Sequence, residues 1–220
     1  MRWIITGANR GIGLALTKQL VARGEDVIAT ARDPERATEL VATGCMVVPL
    51  DVRDPATVEA FAATLGSERV DVLVNNAGLG AWDQLGALDY DTAAAAFDTN
   101  ALGPLRVTEA VLPRLGEGSR VVNITSRMGS IGENSSGGAY GYRMSKAALN
   151  MATSCLAVDL AERSITVVAV HPGWVKTDMG GAGALIETDD CATSILATIA
   201  GLGADDSGSF LDRDGASIAW

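Results

Sequence analysis

The chain has little from which to build a metal centre. Among its 220 residues it carries one histidine, His171, and three cysteines, Cys45, Cys155 and Cys191. The cysteines lie far apart, form no CxxC pair and sit in apolar segments, so they read as small hydrophobes in a reduced protein. His171 stands before Pro172–Gly173 and reads as structural; no Cys/His cluster suggests zinc. Basic residues are also scarce: 17 Lys and Arg against 27 Asp and Glu leave a formal net charge of −10. That balance disfavours a nucleic-acid partner, which needs a basic stripe, and an anionic membrane surface. No apolar run reaches membrane-spanning length. The opening "MRWIITGANRG" starts a strand pattern at once, with no h-region or cleavage site. These absences point to a soluble, cytoplasmic protein. An acidic chain can still hold an anionic ligand where its few basic residues gather in one cleft.

What is present alternates. Apolar runs of strand length, 2–6, 26–31, 45–50, 70–75, 119–126, 164–171 and 208–212, are separated by helical patterns. A helix is expected after the second run, at "PERATELVATG". A long helical pattern over 89–115 is interrupted at Gly103–Pro104. Further helices are expected over 140–163 and roughly 188–201. Continuous apolar strands between helices predict a parallel sheet covered on both faces, a doubly wound α/β fold. Its ligands belong at the carboxyl ends of the strands. No linker, repeat or composition shift divides residues 1–220, so a single domain is expected.

"TGANRGIG", Thr6 to Gly13, follows the first strand and opens a helix. Gly7, Gly11 and Gly13 let the backbone turn tightly and approach a pyrophosphate, and a helix N-terminus presents free N–H groups to it. The spacing is GxxxGxG, not the usual GxGxxG. The second strand ends "ATARD", so Ala31 stands where NAD-binding chains place an acid, and Arg32 follows. Arg32 and Arg10 could together hold a ribose 2′-phosphate; two surface arginines would look the same in sequence.

"YGYRMSK" holds Tyr140, Tyr142 and Lys146. Four residues turn a helix by about 400°, so Tyr142 and Lys146 share a face; six turn it by about 600°, which carries Tyr140 away. A neighbouring ammonium is expected to lower the phenol pKa from about 10, making an acid/base group. "NITSR" ends the preceding strand and puts Ser126 at the rim of the expected cleft. "NNAG" (75–78) ends another strand there. Asn100 sits in the interrupted helix, and "HPGWVKT" (171–177) closes the sixth strand.

Taken in order, "TGANRGIG", "NNAG", Asn100, Ser126, "YRMSK" and "PGWVKT" resemble the short-chain dehydrogenase/reductase family across the whole chain. The resemblance implies a Rossmann-type seven-stranded parallel sheet and nicotinamide chemistry. It makes Tyr142 the general acid/base. Lys146 would lower its pKa and bind the nicotinamide ribose. Ser126 would orient the substrate carbonyl, and Asn100 would hold a water in the proton relay. Arg10 and Arg32 match the branch that prefers NADP(H) to NAD(H). Asp51 and Val52 match the adenine contact. Asn9, Ile12, Asn75, Ala77, Gly78, Pro172, Gly173, Val175 and Thr177 complete the implied cofactor lining, the Val175 backbone meeting the carboxamide. "SRMGSIGENSSGGAYGYRMSKAALN", "HPGWVKTDMGG" and "DGASIAW" are similar to the C-factor and sniffer-type carbonyl reductase branch. One departure stands out: Ser126 and Tyr142 are 16 residues apart, about three more than the family usually shows, which leaves Ser130 as the alternative to Ser126.

The expected activity is NADPH-dependent reduction of a ketone, aldehyde or quinone. The rival is a signalling or cofactor-sensing protein on the same fold. A homodimer packed through the two long helices is expected. Trp174 is a candidate for the substrate wall, and Trp220 is expected to cover something apolar.

Overall fold

The computed structural model describes all of residues 1–220. The strands are β1 (Arg2–Ile5), β2 (Asp26–Ala31), β3 (Met46–Pro49), β4 (Val72–Asn75), β5 (Arg120–Ile124), β6 (Thr166–His171) and β7 (Phe210–Asp212). The helices are α1 (Gly11–Ala22), α2 (Thr38–Val41), α3 (Pro55–Thr64), α4 (Tyr90–Phe97), α5 (Gly103–Val111), α6 (Tyr140–Asp159) and α7 (Thr188–Gly201). The strands form one parallel sheet in the order β3-β2-β1-β4-β5-β6-β7. The order reverses between β1 and β4, and a crevice opens there beyond the strand ends.

The strand period of two sorts each strand between two cores. Trp3 and Ile5 pack on one face with Leu16 and Leu20 of α1 and Ile195 and Ile199 of α7. Ile4 packs on the other with Phe61 of α3, Val107 of α5 and Ala157 of α6. Burial on both faces is why the strands read as unbroken apolar runs. The result is a three-layer α/β/α Rossmann-like fold.

Two helical expectations change. After β2 the chain makes only a 3-10 turn (Pro34–Arg36) and the four-residue α2. Ala37 between them is buried in the core with non-helical backbone, φ −89° and ψ +52°, and that breaks the helix. The long pattern over 89–115 is interrupted at Asp98–Leu102, a π-helical turn, and not at Gly103–Pro104. Pro104 stands in the first turn of α5, directly after the π turn. No helix is long and apolar enough to cross a membrane.

Candidate active site

The glycine loop is stitched to the end of β4. The Thr6 hydroxyl accepts from the N–H groups of Asn76 and Ala77, each at 3.0 Å. The Asn76 amide donates to the main-chain oxygens of Thr6 at 2.9 Å and Gly7 at 3.0 Å. Gly7 has φ +62°, and a Cβ there would lie 2.8 Å from Ala77 Cα. Only glycine meets both demands at once. Below this turn α1 begins with no side chain capping its first N–H groups, so they remain free for an anion.

A cleft of about 960 Å³ runs from this loop across the strand ends. Gly7, Asn9, Arg10, Gly11 and Ile12 line it, with Arg32 beyond β2 and Asp51 and Val52 beyond β3. Ala77, Gly78, Tyr142, Lys146, Pro172 and Thr177 line the rest of the wall matched to the expected residues. Gly13, Asn75, Gly173 and Val175 are not on it. Gly13 instead leaves room for the Asn76 amide, since a Cβ there would sit 2.5 Å from Asn76 Nδ2. Asn75 turns into the sheet, donating to Asn123 Oδ1 at 2.9 Å and Thr108 Oγ1 at 3.2 Å. Asn76 lines the cleft in its place. Gly173 packs against the Ile186 side chain, and Val175 is buried, bridged to the same residue.

Despite the net charge of −10, cations gather here: Arg10, Lys18, Arg32, Arg36, Arg53 and Lys176 all reach the cleft. Most are already matched. Arg10 pairs with Asp178, Lys18 with Glu39, Arg36 with Asp33, Arg53 with Asp51 and Lys176 with Glu187. Arg32 has no ion-pair partner and is exposed. The Arg53 pairing holds the Asp51 carboxyl below its usual range.

At the other end of the cleft, α6 places Tyr142 and Lys146 on one buried face. Lys146 donates from Nζ to the Ile124 oxygen at 2.8 Å, and Nζ lies 5.9 Å from the centre of the Tyr142 ring. Burial lowers its pKa to about 8. The expected pull of Lys146 on the phenol is absent. Burial raises the Tyr142 pKa above its ordinary value, opposed only by the neighbouring Ser126 hydroxyl. The ammonium stabilises the Ile124 carbonyl and approaches the ring, so desolvation decides the sign. Ser126 caps a short turn, accepting from Met128 N–H at 3.1 Å. Ser130 faces elsewhere: its hydroxyl accepts from Glu133 N–H at 3.0 Å and donates to the Trp220 main-chain oxygen at 3.4 Å.

Asn100, wholly buried in the π turn, uses its side chain on protein groups. Its Oδ1 accepts from Leu79 N–H at 2.7 Å, and its Nδ2 donates to Leu79 O at 2.8 Å and Ser145 Oγ at 2.9 Å. The side chain therefore joins the "NNAG" turn to α6 and has no donor left for a water. Tyr140 lies at the surface end of α6. Trp174 is half-exposed and donates to Gly180 O at 2.8 Å. Trp220 covers Phe210, ring centres 5.4 Å apart. Trp82, which the sequence did not single out, lies against Tyr142 with ring centres 4.8 Å apart. No group of three or more His, Cys, Asp or Glu is placed to hold a metal ion.

A parallel sheet with a glycine turn at its switch point and a tyrosine–lysine pair on the same rim defines a class of nucleotide-binding oxidoreductases. The chain belongs to the short chain dehydrogenase family, whose model matches residues 2–184. It is 49% identical to the C-signal protein of Myxococcus xanthus over 166 residues, 74% of this chain and all of that one. It is 39% identical to the 1-hydroxy-2-glutathionyl-2-methyl-3-butene dehydrogenase of Rhodococcus sp. (strain AD45), over 99% of this chain and 98% of that one. Its fold superposes on the NADPH-bound carbonyl reductase from chicken fatty liver with TM-score 0.94 at 36% identity, covering 100% of this chain and 98% of that one. Carbonyl reductase Sniffer of D. melanogaster gives TM-score 0.94 at 33% identity, covering 100% and 99%.

Proposed function

We propose that this protein is an NADP(H)-dependent reductase that converts a ketone, aldehyde or quinone to an alcohol. The observation that carries the reading is the pairing, along one cleft, of buried Tyr142 and Lys146 with an uncapped helix N-terminus flanked by Arg10 and Arg32; Ser126, off the cleft wall, hydrogen-bonds Tyr142 from behind it. The chemistry of the donor set fits the cofactor. The free N–H groups of α1 suit a pyrophosphate, and Arg32, lacking a carboxylate partner, suits a 2′-phosphate. Related structures with NADPH bound, the carbonyl reductase from chicken fatty liver and BdcA, support this choice.

When bound, the nicotinamide supplies a hydride for the carbonyl carbon. Tyr142, kept protonated by burial, donates its hydroxyl proton to the carbonyl oxygen. Ser126 hydrogen-bonds that oxygen as negative charge develops. Lys146 Nζ, bonded to the Ile124 oxygen and near Gly78, holds the ribose side of the cleft. Asn100 fixes the Leu79 turn against α6 and so positions the site; with both amide donors used, its side chain meets a relay water only by accepting at Oδ1. The reading extends to one domain over residues 1–220 and a cytoplasmic homodimer. Exposed Phe97, Leu102, Met151 and Val158 supply apolar surface for the dimer along α4, α6 and the π turn.

The test is NADPH oxidation against a panel of small carbonyls, with Tyr142→Phe beside the wild type. Tyr142→Phe should bind NADPH normally and lose about 10²- to 10⁴-fold in kcat; full turnover by that variant would overturn the reading. The second reading, a signalling or cofactor-sensing protein, draws on the identity with C-signal. It expects NADPH binding without carbonyl-dependent oxidation. A pure sensor has no physical need for a buried tyrosine beside a buried lysine, which favours the enzyme.

A further inference from the structure

We propose that Trp82 is a specificity-determining residue whose indole selects flat, conjugated carbonyl substrates over saturated ones. The proposal rests on the reductase reading of the same site.

Trp82 lies in the irregular segment between β4 and α4. Its ring meets the Tyr142 ring at 4.8 Å between centres and 44° between planes. Tyr142 is 8% exposed, whereas Trp82 is 56% exposed. A tryptophan that served only the core would bury its large apolar surface. This one leaves over half of it open beside the phenol that meets the substrate.

The indole is nevertheless held in place. Gly80 lies so close that a Cβ there would sit 2.9 Å from the indole Nε1. Ala81 is buried with Ala96, Ala139 and Tyr142. On the other side, the Asp83 main-chain oxygen accepts from Ala139 N–H at 2.7 Å. The Asp83 carboxylate, itself nearly buried, accepts from Gly141 N–H at 3.2 Å. Both neighbours of Trp82 are thus anchored to the start of α6, the helix that carries Tyr142. The indole and the reacting hydroxyl keep a set relation to each other.

A carbonyl whose oxygen reaches the Tyr142 hydroxyl must lay its substituent near this ring. A flat π-system can stack offset or edge-to-face on the indole. A saturated ring of equal size gains only the apolar contact. The aromatic part of the contact corresponds to about 2- to 12-fold in binding.

Acetophenone and cyclohexyl methyl ketone make the comparison, because they differ in the π-system and little in size. In the wild type, acetophenone should have the higher kcat/KM. Trp82→Leu keeps apolar bulk and removes the π-face. It should lower kcat/KM for acetophenone about 5- to 10-fold, mainly through KM, and leave the cyclohexyl ketone within about twofold. Trp82→Phe should keep most of the preference. Equal loss on both ketones, or none on either, would overturn the proposal and leave Trp82 as a plain cover over Tyr142. Calorimetric binding of acetophenone to the NADP⁺-saturated protein separates this failure from failure of the reductase reading. Weaker acetophenone binding by Trp82→Leu supports the platform even where neither ketone is turned over, and unchanged binding overturns it.

Discussion

Arg10 and Asp178 face each other across the mouth of the cleft, guanidinium Nη1 to carboxylate Oδ2 at 2.5 Å. They are 168 residues apart in the chain and join the glycine loop to the segment after Thr177. A cofactor phosphate that uses Arg10 meets the negative charge of this carboxylate beside it. Asp178→Asn should therefore tighten NADPH binding. Both partners are largely exposed, so solvent screening limits the gain to about 2- to 5-fold, fading at high salt. Fluorescence titration with NADPH at low and high ionic strength measures it. Weaker binding by the variant would mean that Asp178 holds Arg10 in position instead.

Arg32 should decide between the two nicotinamide dinucleotides. It reaches the cleft beyond β2 with no ion-pair partner. Arg32→Ala should weaken NADPH binding about 10- to 100-fold, the range for charge-assisted bonds to a phosphate. NADH, which has no 2′-phosphate, should bind the variant and the wild type within about twofold. Equal weakening of both by titration would assign Arg32 to general cleft structure.

Arg143 holds the lengthened loop between Ser126 and Tyr142. Its guanidinium donates to the main-chain oxygens of Gly138 at 3.0 Å, Gly137 at 3.2 Å and Met128 at 3.3 Å, and to Ser136 Oγ at 2.8 Å. The segment needs holding, because Gly137, Gly138 and Ala139 are all left-handed, and Ala139 at φ +48° carries a steric cost of about 1 kcal/mol. Arg143→Ala should lower kcat about tenfold and leave NADPH affinity unchanged, since Ser126 would no longer be held against Tyr142. Arg143→Lys should not rescue it, because one ammonium cannot reach four separated acceptors. A normal kcat in Arg143→Ala would make the loop irrelevant to the chemistry.

Lys146 should cost the fold stability that its chemistry requires. Burial takes its pKa from 10.5 to about 8. Below pH 8 the folded state carries the buried ammonium at a penalty of roughly 3 kcal/mol. Between about pH 8 and 10.5 the unfolded chain binds the extra proton, so wild-type stability rises with pH through that window. Lys146→Met removes the penalty and loses the bond to the Ile124 oxygen. It should be inactive and at least as stable as the wild type at pH 7. Its advantage in urea denaturation should shrink as pH rises above 8. A stability difference that stays constant from pH 6 to 10 would contradict the buried charge.

The strands were legible in the amino-acid sequence because a sheet covered on both faces demands unbroken apolar runs, and β2 and α7 fall where the pattern placed them. The pairing of Tyr142 with Lys146 was legible for a local reason: helical pitch alone puts them on one face. The choice of Asn76 over Asn75 at the cleft was not, because it depends on which way the pleat turns the last residue of β4 towards Asn123 and Thr108. Nor was the sign of the Tyr142 shift. Spacing supplies a nearby ammonium, but packing turns it to the Ile124 oxygen and leaves desolvation to set the sign.

The lengthened stretch before α6 shows the same division. Its length and its glycines are written in the chain. That Ser126, and not Ser130, stands beside Tyr142 depends on contacts with Arg143, Asp83 and Trp220. By itself the sequence determined the periodicities, the helical faces and the glycine turn, all of which arise within a few residues. The tertiary structure decided which polar groups are desolvated, which are already paired, and that Trp82 lies on Tyr142. Those follow from the meeting of segments tens of residues apart, where burial and competition between partners set the energy.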